Sequence, residues 1–375
     1  MQVVSLRTGE KGQLCLSPTS RIDVCATRDK CGRTGGAWVY TLCIQDPNME
    51  IPARVSVMIF RPSILRRAAY AVFIVFLGVA IALTALHFPR TTDQVAARFI
   101  TDADYRRFYE HAYAARKAMA ATNETVIEKS YEVRADSAPP ADSNVDADPV
   151  QAFVRDYRLG HKRILEVGSG AGSLQDVVPN YTGLDISASA ARFYRKPFVQ
   201  GSATELPFPD NSFDAIWTIN VLEHVPRPES ALYEMRRVLR PNGYLFLSPA
   251  WQCRSWAADG YAVRPYSDFG FVGRIVKASV PVRDSVLYRL LYIAPIRALR
   301  LSCALFSQQP TVFRYNELEP NYRHYWTSDS DAVNSMDAFE AILWFRSRGD
   351  KCLNYPNLLQ QFTVKHGAVV IQIRK

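Results

Sequence analysis

The stretch "RILEVGSGAGSLQDVVPNYTGLDIS", residues 163–187, decides how this 375-residue chain is read. An apolar run ends in Glu166, glycines stand at alternate positions 168, 170 and 172, and a second apolar run ends in Asp185. Residues without a Cβ adopt positive φ and let a ligand approach the backbone closely. Set between a strand and a helix, such a loop aims unpaired amide N–H groups at whatever lies above it. Arg163 to Val167 therefore reads as a buried strand, Gly172 to Val178 as the first turns of a helix, and Tyr181 to Asp185 as the second strand of a βαβ unit. Asp185 falls 17 residues beyond Gly168, close to the roughly 20-residue offset at which an acidic side chain meets ribose hydroxyls in dinucleotide folds. A carboxylate suits that task because it accepts two hydrogen bonds from a diol. The pattern is that of a nucleoside-type site.

The glycine order G-x-G-x-G departs from the G-x-G-x-x-G of the dinucleotide fingerprint. The stretch "GSATELPFPDNSFDAIWTINVLEHVPRPESALYEMRRVLRPNGYLFLSP", residues 201–249, resembles the class I S-adenosylmethionine-dependent methyltransferases, in the small-core subfamily whose sequences run "LPF", "FD", "LEHV" and "RPGG". The resemblance covers about residues 150–250. It implies that the loop Gly168, Gly170, Gly172 passes under the methionine portion of the cofactor with Glu166 near its amino group. It further implies that Asp185 holds the ribose hydroxyls, that Ile186 packs on the adenine, and that Asn220 lies beside the methionine moiety. Ser202 and Ala203 stand where the family usually has an acidic residue reading the adenine amino group, and a serine hydroxyl accepts that bond without charge assistance. Asn242 replaces a glycine in "RPNG", a substitution suited to left-handed backbone.

Methyl transfer from a sulfonium is a displacement in which the protein mainly positions the nucleophile and excludes water. A phenol or alcohol acceptor benefits from a general base. The "LEHVP" segment is similar to that of ubiquinone-pathway O-methyltransferases, and the resemblance implies that His224, with Glu223 beside it, sits by the acceptor as the candidate catalytic residue. The same "LEH" also opens the helix after strand four in methyltransferases with unrelated acceptors.

The formal charge of +9 comes from scattered arginines and lysines, without a basic block. Solvated faces and a membrane-proximal surface account for it better than a nucleic acid does. The seven cysteines form no C-x-x-C and do not cluster with the six histidines, so no metal site is expected and the thiols are read as reduced.

Ala68 to Phe88 is 21 residues without a charge, which as a helix spans roughly the 30 Å hydrocarbon layer. Arg66 and Arg67 are expected to stop it at one end and Pro89-Arg90 at the other. Residues 1–67 form an N-terminal segment whose first 57 positions show no clear periodicity, and Met58 is an alternative start. Around the apolar run, Arg54, Arg61, Arg66 and Arg67 face Arg90 and Arg98, and a wider window adds Arg106 and Arg107 and evens the count. Cofactor supply is cytosolic, so the catalytic domain is placed on the cytosolic face. Residues 89–149 read as a juxtamembrane helix, with Tyr105, Phe108, Tyr109, Ala112 and Tyr113 on one broad face, followed by the acidic, Pro-rich linker "SAPPADSNVDADP". Asp148-Pro149 then opens a helix.

The methyltransferase domain is assigned to 150–375, with a substrate-region insertion at about 250–336. Within it, 250–270 reads as a loop or lid, and 284–306 as a helix of mixed aliphatic and basic character that Pro295 breaks or kinks. Tyr322, His324, Trp326, Asp329 and Asp331 precede a helix from about Asp337, where carboxylates either grip a polar head or cap the helix. Leu358 to Val364 and Ala368 to Ile373 read as a terminal hairpin. The expectation is an α/β, Rossmann-like, seven-stranded, mostly parallel sheet with helices on both faces, plus one N-terminal transmembrane helix. The expected function is S-adenosyl-L-methionine-dependent methylation of a small-molecule, lipid-like or lipid-linked acceptor at the membrane. The alternatives are a non-catalytic scaffold of the same fold and an NAD-type oxidoreductase.

Overall fold

The computed structural model describes residues 7–8, 14–15, 23–29, 37–45, 53–60, 64–86, 91–96, 103–112, 147–283, 285–307, 309–324 and 326–375. The chain divides into two compact units, Met1–Ala80 and Ile81–Lys375.

The first unit holds a three-stranded antiparallel sheet of Asp23–Asp29, Ala37–Gln45 and Ala53–Phe60, in that order, and a two-strand ribbon of Arg7–Thr8 and Leu14–Cys15. No strand was read from this segment, because its alternation is interrupted by polar and glycine residues. Met58 lies inside the third strand, opposite Val39. A helix follows at Ile64–Leu86. Arg66 and Arg67, expected to stop it, lie in its first turn. Among the described residues no helix is long and apolar enough to cross a membrane. The expected transmembrane span over Ala68–Phe88 lies in part outside the described residues.

The second unit is built on a seven-stranded sheet. Its strands are β1 (Ile164–Val167), β2 (Tyr181–Asp185), β3 (Phe198–Gln200), β4 (Phe213–Ile219), β5 (Leu239–Ser248), β6 (Lys351–Cys352) and β7 (Val369–Gln372). They lie in the order β6-β7-β5-β4-β1-β2-β3. Pairings among β1 to β5 are parallel, while β7 runs antiparallel to both β5 and β6. Alternation along the strands divides the core. Leu165, Ile216 and Leu245 face a layer containing α2 (Pro228–Val238) and α5 (Ala338–Arg346), whereas Ile164, Trp217 and Phe246 pack with Val150 and Phe153 of α1 (Ala147–Asp156). Strand order reverses between β1 and β4, so the ends of these two strands open the crevice in which α/β sheets bind ligands.

Three local expectations are corrected. Residues 173–180 form turns and bends and no helix, because only eight residues separate the last glycine from β2 and Pro179 closes the segment. The side-chain amide of Gln175 bridges the carbonyls of Gly172 and Phe193 there. Leu358–Thr363 is a helix, α6, nucleated by a capping box between Asn357 and Gln360; the hairpin partner of β7 is β6. Finally, α4 (Val286–Phe306) runs through Pro295 as one helix. Its inner face is ionic: Arg297 makes a bidentate pair with Asp337 at 2.9 and 2.6 Å, and Arg300 with Glu340 at 2.7 and 2.9 Å.

The segment 91–112 belongs to this second unit. Asp93 accepts from the backbone N–H of Ser230 at 2.7 Å and of Glu229 at 3.3 Å, neutralising the start of α2. The helix over 103–112 supplies Glu110, whose carboxylate accepts from the N–H groups of Ala188 and Ser189. The linker positions 137–146 and Tyr113 lie outside the described residues.

Candidate active site

The crevice at the ends of β1 and β4 is an open cleft of about 580 Å³ including its mouth. Gly168, at the end of β1, has φ +73°, and a Cβ there would stand 2.2 Å from Cγ2 of Val221. Only glycine lets the β1 loop pack this closely on the β4 turn. Gly170 and Gly172 also have positive φ, at +51° and +72°.

Asp185, at the end of β2, is buried, and both its oxygens are held by backbone amides. Oδ2 accepts from Gly170 N at 2.8 Å and Oδ1 from Ser187 N at 3.0 Å. Burial raises its pKa while these amide bonds oppose the rise. Each oxygen keeps a lone pair for a diol. Ile186, Ser202, Ala203, Asn220 and His224 line the cleft with Asp185 and Gly168. Asn220 adopts φ +51° and donates its N–H to Ser248 O, which turns the chain sharply off β4. The Ser202 hydroxyl is within 2.8 Å of that of Thr204. Glu166, Gly170 and Gly172 are not among the lining residues. Glu166 is buried and accepts from the Tyr181 hydroxyl, so it acts on the β1–β2 pairing, and Gly170 acts on the cleft through its N–H to Asp185. Asn242 sits at φ +64° with its N–H on Ile373 O.

His224 lies in a one-turn 3₁₀ segment, Leu222–His224; the following helix starts at Pro228. Asn334 clamps this turn by donating to the carbonyls of Leu222 and Val225 at 2.9 and 2.8 Å. The ring is buried between two carboxylates: Nδ1 is 3.4 Å from Asp331 Oδ2, and Nε2 is 3.8 Å from Glu223 Oε1. Burial disfavours the imidazolium, but Asp331 and Glu223 outweigh it and hold the pKa above its ordinary value. Glu223 is fully buried, and neither carboxylate oxygen has a hydrogen-bond partner. Burial pushes its pKa up to about 7. Glu223, His224 and Asp329 each offer a ligand atom within 4.8 Å of the others, a grouping that could hold a cation.

Sequence reasoning missed what the rest of the unit brings here. Tyr105 and Tyr109 line the cleft from the helix over 103–112, and Tyr109 donates to Asp331 Oδ2 at 2.7 Å. Asp331 neither grips solvent-facing ligand nor caps a helix. It is buried against His224, and the cap of α5 is Asp337, which accepts from Phe339 N at 2.9 Å. The polar clusters around Tyr109 and Asp331 were visible in the sequence; their meeting point was not.

A parallel sheet reversing at β1 and β4, a glycine-bounded loop and a buried carboxylate ending β2 define a class I methyltransferase site. The family described as "Methyltransferase domain" matches residues 165–247, and the chain belongs to the S-adenosylmethionine-dependent methyltransferases. The chain is 31% identical over 194 residues to a phthiotriol/phenolphthiotriol dimycocerosates methyltransferase of Mycobacterium tuberculosis, covering 45% of this chain and 70% of that protein. It is 39% identical over 102 residues to a fatty-acid O-methyltransferase of Mycolicibacterium smegmatis, covering 24% of this chain and 37% of that protein. A crystal structure of a SAM-dependent methyltransferase from Thermotoga maritima aligns at 15% identity over 72% of this chain and all of that one, with a TM-score of 0.34. S-adenosylmethionine is the cofactor. The residues fit it: the buried Asp185 carboxylate keeps lone pairs that could accept a diol, and Ile186 and Leu184 supply apolar wall beside it.

Proposed function

We propose that this methyltransferase acts on a hydroxyl of a lipid-like acceptor, with His224 as the group that takes the acceptor's proton. The observation that carries the reading is the fixed ring of His224: it lines the cofactor cleft while Asp331 faces Nδ1 at 3.4 Å. A carboxylate on Nδ1 selects the tautomer with Nδ1–H, which leaves the Nε2 lone pair to receive a proton. When bound, the cofactor supplies a methyl group on a sulfonium, whose departure needs no acid. Asp185 orients the ribose, the β1 loop and Asn220 flank the methionine portion, and Tyr105 and Tyr109 shield the cleft from water. The apolar Val221, Val225 and Pro226 beside His224 suit an aliphatic acceptor, in keeping with relatives named for a fatty acid and for phthiotriol dimycocerosates.

Incubation with radiolabelled cofactor and a fatty alcohol, next to the fatty acid of equal chain length, tests this. Label in the alcohol ether, lost in His224→Gln with cofactor binding retained, is the expected result. Transfer to neither compound, or transfer that is indifferent to His224→Gln, overturns the assignment.

A further inference from the structure

Helices α3 (Phe271–Arg283) and α4 are turned inside out relative to helices of a water-facing surface. In α4, Arg297 and Arg300 point inward, 3% and 7% exposed in their pairs with Asp337 and Glu340. Leu290, Leu305 and Phe306 point outward at 60%, 72% and 90% exposure. Along α3, Phe271, Ile275, Ala278 and Val282 follow one another at intervals of four, three and four residues, and all are exposed. That spacing is one continuous stripe. Scattered exposed apolar residues are ordinary, but an apolar stripe over successive turns marks an interaction surface.

Charge selects the occupant. Residues 271–306 contain six basic residues and one acidic residue. Among the side chains described there, Arg297 and Arg300 are neutralised by their partners, which leaves Arg274 and Lys277 with no acidic side chain against them. Arg274 and Lys277 donate to backbone carbonyls of the preceding loop, Arg274 to Phe269 and Lys277 to Tyr261, which leaves their charge standing beside the stripe. An apolar helix face edged with basic residues suits the plane of an anionic lipid surface. The same loop is tied to the acceptor side of the site. Ser330, next to Asp331, donates to Ala257 O at 3.2 Å, and Arg264 stacks on Trp326 at 4.9 Å.

We propose that the α3–α4 pair docks the enzyme on an anionic lipid surface. This goes beyond the acceptor assignment and stands without it. The test uses the full chain and phosphatidylcholine vesicles with and without phosphatidylglycerol. Flotation with the anionic vesicles, weakened by salt, is expected to fall about tenfold or more in Phe271→Gln/Ile275→Gln, since two apolar side chains then leave the lipid. Cofactor affinity, measured by calorimetry, is expected to stay unchanged and reports that the variant is folded. A second readout is local to the face: a tryptophan introduced by Ile275→Trp should be quenched by brominated lipid in anionic vesicles. Absence of that quenching overturns the proposal whatever other segments contribute to flotation. So does a wild-type dimer that Phe271→Gln/Ile275→Gln dissociates, which would assign the stripe to a second copy of the chain. Failure here with continued methylation of a detergent-dispersed alcohol removes the docking surface alone; failure of methylation with vesicle binding intact removes the acceptor assignment alone.

Discussion

The Tyr109 hydroxyl donates to Asp331 Oδ2 at 2.7 Å, joining residues 222 positions apart in sequence, and Asp331 in turn faces Nδ1 of His224 at 3.4 Å. The His224 ring on the cleft wall is thus oriented by a carboxylate that is itself held from the far side. A base must be neutral to act, and the carboxylates around His224 raise its pKa above the ordinary value of about 6.5. The acid limb of kcat should therefore have its midpoint above about 6.5, with turnover rising as pH increases through it. Asp331→Asn removes one raising charge, so the limb should move to lower pH while kcat falls about 100-fold or more from lost orientation. A pH–rate profile of wild type and variant checks both signs.

Asp185→Asn replaces one carboxylate oxygen with an NH2 group that cannot accept its amide bond, so one of the bonds from Gly170 N and Ser187 N is lost and the other loses its charge. Cofactor affinity is expected to drop by about 10- to 100-fold, for loss of about one or two charge-assisted hydrogen bonds. Calorimetric titration with S-adenosylmethionine measures it.

Gly168→Val should abolish cofactor binding. The new Cβ would collide with Val221 at 2.2 Å, on backbone with φ +73°. Strain and overpacking together should cost about 2 kcal/mol or more of stability, read as a lowered urea midpoint. Gly160→Ala, where nothing lies within 4 Å of the added methyl, is the matched control.

Arg300→Met strands the carboxylate of Glu340 inside the protein, where burial already raises its pKa. Breaking a buried pair of this kind costs about 3–5 kcal/mol, so a large fall in Tm is expected. Adding Glu340→Leu should return most of the loss, because the uncompensated charge is then gone.

Of the grouping Glu223, His224 and Asp329, the proposed function uses only His224, for proton transfer, and no metal. Dialysis against EDTA is expected to leave turnover and cofactor affinity unchanged. A loss restored by a divalent cation would reassign the group.

Much of the nucleotide half was legible in the linear pattern because its determinants are local. The glycines, Asp185 and the apolar runs of β1, β2 and β4 lie within a few residues of the turns they shape. Period-two burial and positive φ leave marks that a single segment shows. Where competing local signals existed, the pattern misled: eight residues after Gly172 were too few for the expected helix, and the Asn357–Gln360 cap turned an apolar run into α6 instead of a strand.

From the sequence alone came the βαβ reading around the glycine loop and its nucleoside-type site, which follow from short-range periodicity and loop chemistry, while the fold class and the cofactor came from the resemblance of residues 150–250 to a family. Only the tertiary structure decided that residues 91–112 belong to the catalytic unit, that Asp331 faces His224, and that α4 turns Arg297 and Arg300 inward. Those relationships depend on which distant surfaces meet when the sheet is covered, and a buried ion pair or a histidine's partner is chosen by that packing, not by neighbours along the chain.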